Sequence, residues 1–343
     1  MTAELTTKPT PVRSSDTPGR APRRLTTRSV LTRYGLVLVW IALIVVFGAL
    51  KPDTFLTWLN FRTMFNSQSM LVMLALGLVI CMVSGDFDLS LAGVYSVSMA
   101  IIGRMNITES IAIGWAILVA MFFGLLVGAV HAFFVVKIGL PSFIVTLGSG
   151  TAFLGLAYAL SNATISGVSS PFADFVNKDI GGLQIFFFIT LFLVLALWYL
   201  YGYTPLGRKL YFVGASRDVA RLAGLPVQGL RAGSLIAASM VAALAGVLSA
   251  GYLDGSDPSV GGSLLLPVTS STLLGATAIW PGRANPWGAL IASYFLVTGY
   301  TGLQDLGLSG WIQQVFYGCA LVVAIAVSHF AGRGATSELD VGV

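Results

Sequence analysis

Charge is what this chain has least of. Asp, Glu, Lys and Arg make up 10% of its 343 residues, against roughly a quarter in soluble domains. With 56% hydrophobic residues and a mean hydropathy of +0.86, that scarcity excludes a water-soluble globular domain and reads as an integral membrane protein. Cysteine is nearly absent as well. Cys81 and Cys319 both sit in apolar runs, so neither a disulfide framework nor a thiolate metal cluster is expected. The two histidines, His131 and His329, are far apart, and no His, Cys, Asp or Glu set has zinc-like spacing, so no metal is expected. No Gly-x-x-x-x-Gly-Lys-Ser/Thr occurs, nor any Gly-Lys dipeptide. The backbone cradle and lysine that grip nucleotide phosphates are therefore missing, and any ATP-driven process would need a second chain. Nucleophiles, bases and metal ligands do not cluster within apolar runs either, which argues against an intramembrane enzyme.

What is present is a series of apolar runs. A span needs about 20 apolar residues, fewer inside a bundle, which gives ten candidates: 34–50, 68–84, 89–103, 110–136, 142–161, 183–202, 232–252, 264–280, 286–301 and 311–330. The expected fold class is therefore all-α and polytopic. Residues 1–33 form a Thr/Pro/Arg-rich tail, expected to be disordered. It is too long and too weakly patterned for the basic region of a signal peptide, and no small-x-small cleavage site follows cleanly, so 34–50 reads as a retained span. The domain division is tail 1–33, membrane domain 34–330 and tail 331–343. With the N-terminus in the cytoplasm, ten spans place fifteen of the 19 Lys and Arg inside and four outside. The positive-inside rule favours that orientation, with both termini cytoplasmic. The basic pI of about 9.3 then reflects topology, and nucleic acid is not an expected partner.

Glycine is abundant, with 39 residues. Gly124-x-x-x-Gly128 and Ala242-x-x-x-Gly246-x-x-x-Ala250 have the spacing that lets helices approach closely. Two regions read alike as helix, break, helix: Leu74 to Ser98 around Ser84-Gly85-Asp86-Phe87-Asp88, and Leu273 to Tyr294 around Pro281 to Pro286.

One polar island interrupts the pattern, Tyr203 to Arg231. It holds Arg208, Lys209, Arg217, Arg221 and Arg231 against the single carboxylate Asp218. Within it, residues 216–223 read as a helix of about two turns. Ser216 can cap its start, Asp218 suits the first turn, and Gly224 with Pro226 stops it. Val219 and Leu222 would form a small apolar face, with Arg217 and Arg221 beside it and Asp218 within i,i+3 reach of Arg221. A helix this short is unstable alone in water. It must lie on anionic lipid or dock into a partner.

Three segments together resemble the permease subunits of carbohydrate ABC importers of the ribose/xylose/galactoside group. Val83-Ser-Gly85-Asp86-Phe87-Asp88-Leu-Ser90-Leu-Ala-Gly93 is similar to that family's Gly-Gly-Ile-Asp-Leu-Ser-Val-Gly. Asp86 replaces the second glycine, Phe87 the isoleucine, and Leu91-Ala92 the final Val-Gly. Gly139-Leu-Pro-Ser-Phe143-Ile-Val-Thr-Leu-Gly148 is similar to Pro-x-Phe-Ile-x-Thr-Leu-Gly. Thr204-Pro-Leu-Gly-Arg208 through Gly214, then Ala220-Arg221-Leu-Ala-Gly224-Leu-Pro-Val227, is similar to the family's Gly-Arg and Ala-Arg-Leu-x-Gly-Ile-x-Val. The resemblance runs from about residue 34 to 330. It implies a type II importer-like bundle of ten helices, a permease dimer, two ATPase subunits that bind the ATP, and an extracytoplasmic solute-binding protein in the bacterial cytoplasmic membrane.

On that reading Gly214, Ser216, Asp218, Ala220, Arg221 and Gly224 carry coupling to the ATPase. Gly85, Asp86, Asp88 and Ser90 form a helix break. Asp88 is an expected N-cap for the following helix, accepting amides near Leu91; gating, contact with the ATPase and proton coupling are the other roles open to the two acids. His131 reads as a packing residue. Phe87, Tyr95, Phe143, Gln184 and Trp311 are candidate pathway residues, since sugars are gripped by aromatic faces and amides. The segments 162–182 and 254–263 are candidate contacts for the binding protein. Asn106-Ile-Thr108 and Asn162-Ala-Thr164 read as chance matches to the glycosylation triplet. A sugar is the expected solute, with nucleosides, autoinducers and branched-chain amino acids served by similar chains. An ion-coupled carrier, acting without ATPase partners, is the competing class.

Overall fold

An apolar segment inside a bilayer has no water to satisfy its backbone, and a helix meets every donor and acceptor within itself. The computed structural model describes residues 27–323; most of the N-terminal tail, all of the C-terminal tail and His329 lie outside them. The first helices are α1 (Thr27–Leu50), α2 (Pro52–Phe55), α3 (Trp58–Ser67), α4 (Ser69–Val83) and α5 (Leu91–Ile102). Then come α6 (Ile113–Ala132), α7 (Ser142–Leu160), α8 (Ser170–Asn177), α9 (Ile185–Tyr203), α10 (Pro205–Ala215) and α11 (Arg217–Leu222). The last are α12 (Val227–Tyr252), α13 (Val260–Gly275), α14 (Pro286–Asp305) and α15 (Trp311–Val323). α5 and α6 each continue into a wider π-helical turn, Gly103–Thr108 and Phe133–Ile138.

Among the described residues four helices are long and apolar enough to cross a membrane: α6 with its π turn, α7, α9 and α12. A fifth is added if α3 and α4, bent by 41° at their junction, count as one. The ten spans read from the sequence are therefore not reached by helix length and composition. The run 68–84 is half of that bent pair; the bend falls at Gln68, a buried amide whose Nε2 reaches the Tyr300 hydroxyl at 3.4 Å. α1 opens at Thr27, inside the segment expected to be disordered. α12 opens at Val227 rather than 232, directly after Pro226, so Arg231 belongs to the helix. The run 264–280 starts earlier, at Val260, and stops at Gly275. Beyond it Ile279 and Gly282 take left-handed backbone angles, φ +62° and +82°.

α12 is the post around which α4, α5 and α6 pack. The sequence supplies small residues where it must: a Cβ on Gly124 would lie 2.6 Å from the Ala243 Cβ, and one on Gly128 2.6 Å from the Ile236 Cα. On another side Gly246 meets the Tyr95 carbonyl with no room for a side chain. Such contact substitutes backbone packing for the hydrophobic drive that lipid cannot provide. The outward sides of α6, α7 and α9 are apolar, with Phe122, Ile144 and Phe192 each more than half exposed, as expected of surfaces that meet lipid.

The two ends of the bundle differ. At one end the two-residue strands β1 (Ile165–Ser166) and β4 (Gly255–Ser256) pair antiparallel, as do β2 (Asp179–Ile180) and β3 (Leu183–Gln184). Arg62 pairs there with Asp179, and Asn106, in the first glycosylation-like triplet, accepts the Ser169 amide at 2.8 Å. At the other end lie α10, α11 and the break between α4 and α5.

Candidate functional site

The break, residues 84–90, is built by local rules. Gly85 stops α4 in the left-handed region, φ +80°. The Asp86 amide donates to the Cys81 carbonyl and the Gly85 amide to Met82, both at 3.1 Å, the paired bonds of a Schellman stop. α7 satisfies the chain beyond the stop: Ser142 Oγ accepts the Phe87 amide at 3.2 Å, and Thr146 Oγ1 accepts the Leu89 amide at 3.0 Å.

α11 repeats that grammar. Ser216 Oγ accepts the Val219 amide at 3.4 Å, and Gly224 takes φ +75°. The Leu225 amide donates to Ala220 and the Gly224 amide to Arg221, both at 3.0 Å. Ala220 is buried with Val213 and Val227, with Leu225 packed alongside, anchoring one side of the helix. Leu222 is 89% exposed and Val219 half exposed on the outside. Asp218 and Arg221 pair at 3.6 Å in open solvent, where such a pair adds little.

The two features are fastened together. Asp86, its side chain 1% exposed, accepts from Arg231 Nε at 2.8 Å and Nη2 at 2.7 Å, a bidentate pair. Arg217 Nη2 donates to the same carboxylate at 3.1 Å and to the Gly85 carbonyl at 2.5 Å. Beneath this clamp the backbones touch: a Cβ on Gly85 would lie 3.3 Å from the Gly214 Cα, and one on Gly214 would strike the Val83 carbonyl. The three sequence segments, joined by hydrogen bonds that span 55 to 132 positions, thus meet at residues 84–90, with α7 on one side and the α10–α11 turn on the other.

Asp88 faces inward. Its Oδ1 accepts the Ser90 amide at 2.8 Å and the Ser90 hydroxyl at 2.6 Å. The amide it takes is therefore that of Ser90, one residue earlier than the sequence suggests, and Ser90 itself precedes α5 without capping it. Asp88 Oδ2 lies 3.9 Å from His131 Nδ1, and His131 Nε2 lies 2.8 Å from Ser149 Oγ. His131 is thus a buried packing residue whose Nε2 is satisfied by Ser149 of α7, while its Nδ1 and the Asp88 Oδ2 facing it have no hydrogen-bond partner.

The candidate pathway residues do not converge. Phe87 and Phe143 meet at the break, ring centroids 6.4 Å apart. Tyr95 is fully buried, its hydroxyl 3.6 Å from Met70 Sδ, and lines no open passage. Gln184 lies at the opposite end between Asn66 and Asn177, and Trp311 is exposed at the start of α15. Ser149 belongs to this site without being singled out by the sequence, and Arg231, named there only as a cation of the polar island, and Ser142 and Thr146, named only within the second motif, join it as partners of the break. The signal for Arg231 is an acid standing in a glycine position opposite a loop with too few acids. Among the described residues no group of His, Cys, Asp or Glu could hold a metal.

An apolar helical bundle with one short capped helix held at a helix break is a membrane protein with a polar cluster at one end. The chain belongs to the family described as branched-chain amino acid transport system / permease component, whose model matches residues 60–325. Relatives agree along nearly the whole length. The D-allose transport system permease of Escherichia coli K12 is 25% identical over 88% of this chain and 93% of its own. A probable ABC transporter permease of Sinorhizobium fredii is 26% identical over 92% and 96%, and the autoinducer 2 import system permease of Yersinia enterocolitica 28% over 87% and 92%. A solved inward-facing metal-chelate type ABC transporter covers 90% of this chain and 98% of its own at 16% identity, with a TM-score of 0.42, too loose a likeness to bear on function.

Proposed function

We propose that this chain is the membrane-spanning subunit of an ATP-driven importer for a sugar or similar small polar solute. Separate ATPase subunits, which bind the ATP, receive α11 as a plug, with Leu222 and Val219 entering and Arg221 at the rim. The observation that carries the reading is the clamp on Asp86, in which Arg217 ties that plug, and Arg231 the start of α12, to the break between α4 and α5. Movement at α11 then reaches three helices at once, because Ser142 and Thr146 hold the break to α7.

The positive-inside count supports an orientation with α11 and both termini in the cytoplasm, and ten spans once the shorter helices and the bent pair are included. The strand-paired end then faces outward, where 162–182 and 254–263 offer a surface to a solute-binding protein, and a second permease copy completes the pathway. The relatives named for D-allose and autoinducer 2 favour a sugar-class solute. The family description leaves a branched-chain amino acid as the second reading.

The test is uptake in proteoliposomes holding this chain, its ATPase and a loaded binding protein. Transport should need all three. Arg221→Ala and Gly224→Val should lose solute-stimulated ATP turnover at least tenfold while the chain stays monodisperse. Uptake by the chain alone, or full stimulation in both variants, would overturn the assignment in favour of a self-sufficient carrier.

A further inference from the structure

A cavity of about 630 Å³ opens where the end of α9 meets α10 and the segment before α14. Its walls are aromatic, among them Trp198, Tyr203, Tyr211 and Trp280, and two guanidinium groups line it, Arg208 and Arg283. Tyr211 shapes one side. Its hydroxyl donates to the Ala284 carbonyl at 2.8 Å, and Arg283 lies over its ring, 5.7 Å from the centroid. Among the described residues neither arginine has a carboxylate partner, since Asp86 is taken by Arg217 and Arg231 and Asp218 by Arg221. The cavity therefore carries uncompensated positive charge inside an aromatic rim.

A second observation concerns how the cavity is reached. Phe188, Phe192, Leu195, Tyr199 and Tyr203 keep helical spacing along α9 and are all exposed. This apolar stripe runs along a membrane-length helix and ends at Tyr203, whose ring stacks on Tyr199 at 5.7 Å and also walls the cavity. An occupant suited to both parts has an anionic head and an apolar body. We propose that the cavity holds the headgroup of an anionic phospholipid of the cytoplasmic leaflet. Its phosphate sits between Arg208 and Arg283, and its acyl chains lie along the α9 stripe. The leaflet rests on the orientation above; the site does not depend on the solute carried. The bound lipid braces α10 against the segment 276–285, next to the clamp.

The test is native mass spectrometry of the full-length chain in mild detergent, titrated with phosphatidylglycerol and phosphatidylcholine. The wild type should retain phosphatidylglycerol preferentially. Near a membrane surface each basic residue contributes enough that removing two should cost about thirtyfold, so Arg208→Gln/Arg283→Gln should lose that preference with phosphatidylcholine binding unchanged. Arg208→Lys/Arg283→Lys should keep most of it and serves if the neutral pair does not fold. Lys137→Gln removes a cation outside the cavity and should leave the preference intact. Equal retention of both lipids, or an equal loss in Lys137→Gln, would overturn the proposal. So would displacement of phosphatidylglycerol by glycerol phosphate at matched concentration, which would make the cavity a site for a soluble anion.

Discussion

Asp86 is a carboxylate withdrawn from water and returned to balance by two arginines and its own position at a helix stop. Removing one partner of a buried ion pair costs about 3–5 kcal/mol because the other charge is stranded. Arg231 keeps 12% of its side chain exposed and Arg217 42%, so solvent relieves part of that penalty. Asp86→Asn should therefore destabilise the chain by about 2–3 kcal/mol, read as a lower thermal midpoint in detergent, and should weaken ATPase stimulation in the assembled complex. An unchanged midpoint would mean the arginines find other partners. The stop at Ser84-Gly85-Asp86 is legible because caps and stops are written in consecutive residues. The clamp is not, because its partners lie 131 and 145 positions away, and pairing at that range is decided by which helices pack together.

α11 shows the same division one level up. Its cap, acidic first turn and glycine stop lie within nine consecutive residues, and the sequence displays all three. α10 falls in the same polar island without standing out as a helix there. Yet Thr204 Oγ1 accepts the Gly207 amide at 3.2 Å and Pro205 occupies the first turn, a start signal as plain as that of α11. Helix ends in the membrane domain are harder, since an apolar run marks removal from water, into lipid or into the core as in α4, rather than helix length. α3 carries polar residues and so escapes a hydropathy reading, while α12 extends past its greasy part to Arg231 and beyond. The exposed face of α11 yields a sharp expectation. Leu222→Asp alters a side chain that touches little, so stability should stay within about 0.5 kcal/mol. Pull-down of the ATPase should nonetheless fall at least tenfold. A lower midpoint with binding retained would show that Leu222 serves the fold.

At the scale of the whole molecule the membrane character is plain from composition, while the number of crossings is not. Composition counts apolar residues, whereas a crossing depends on how broken helices are joined, as at the 41° bend between α3 and α4. The orientation can be checked directly. Cys81 is buried and Cys319 exposed, so Cys319→Ser makes a quiet background. In it, Ser259→Cys should react with an impermeant maleimide on intact cells, and Asp218→Cys only after the membrane is opened. The reverse pattern would invert the topology and move the ATPase away from α11.

The contact of Gly85 with Gly214 has a mechanical corollary. Where flexible side chains lie between two parts, the first fraction of an ångström of any movement is absorbed as they turn. Here main chain meets main chain with nothing in between, so this joint has almost no backlash. A displacement at the outer helix would reach the core undiminished, and the two would shift together as one hinged lever rather than in sequence.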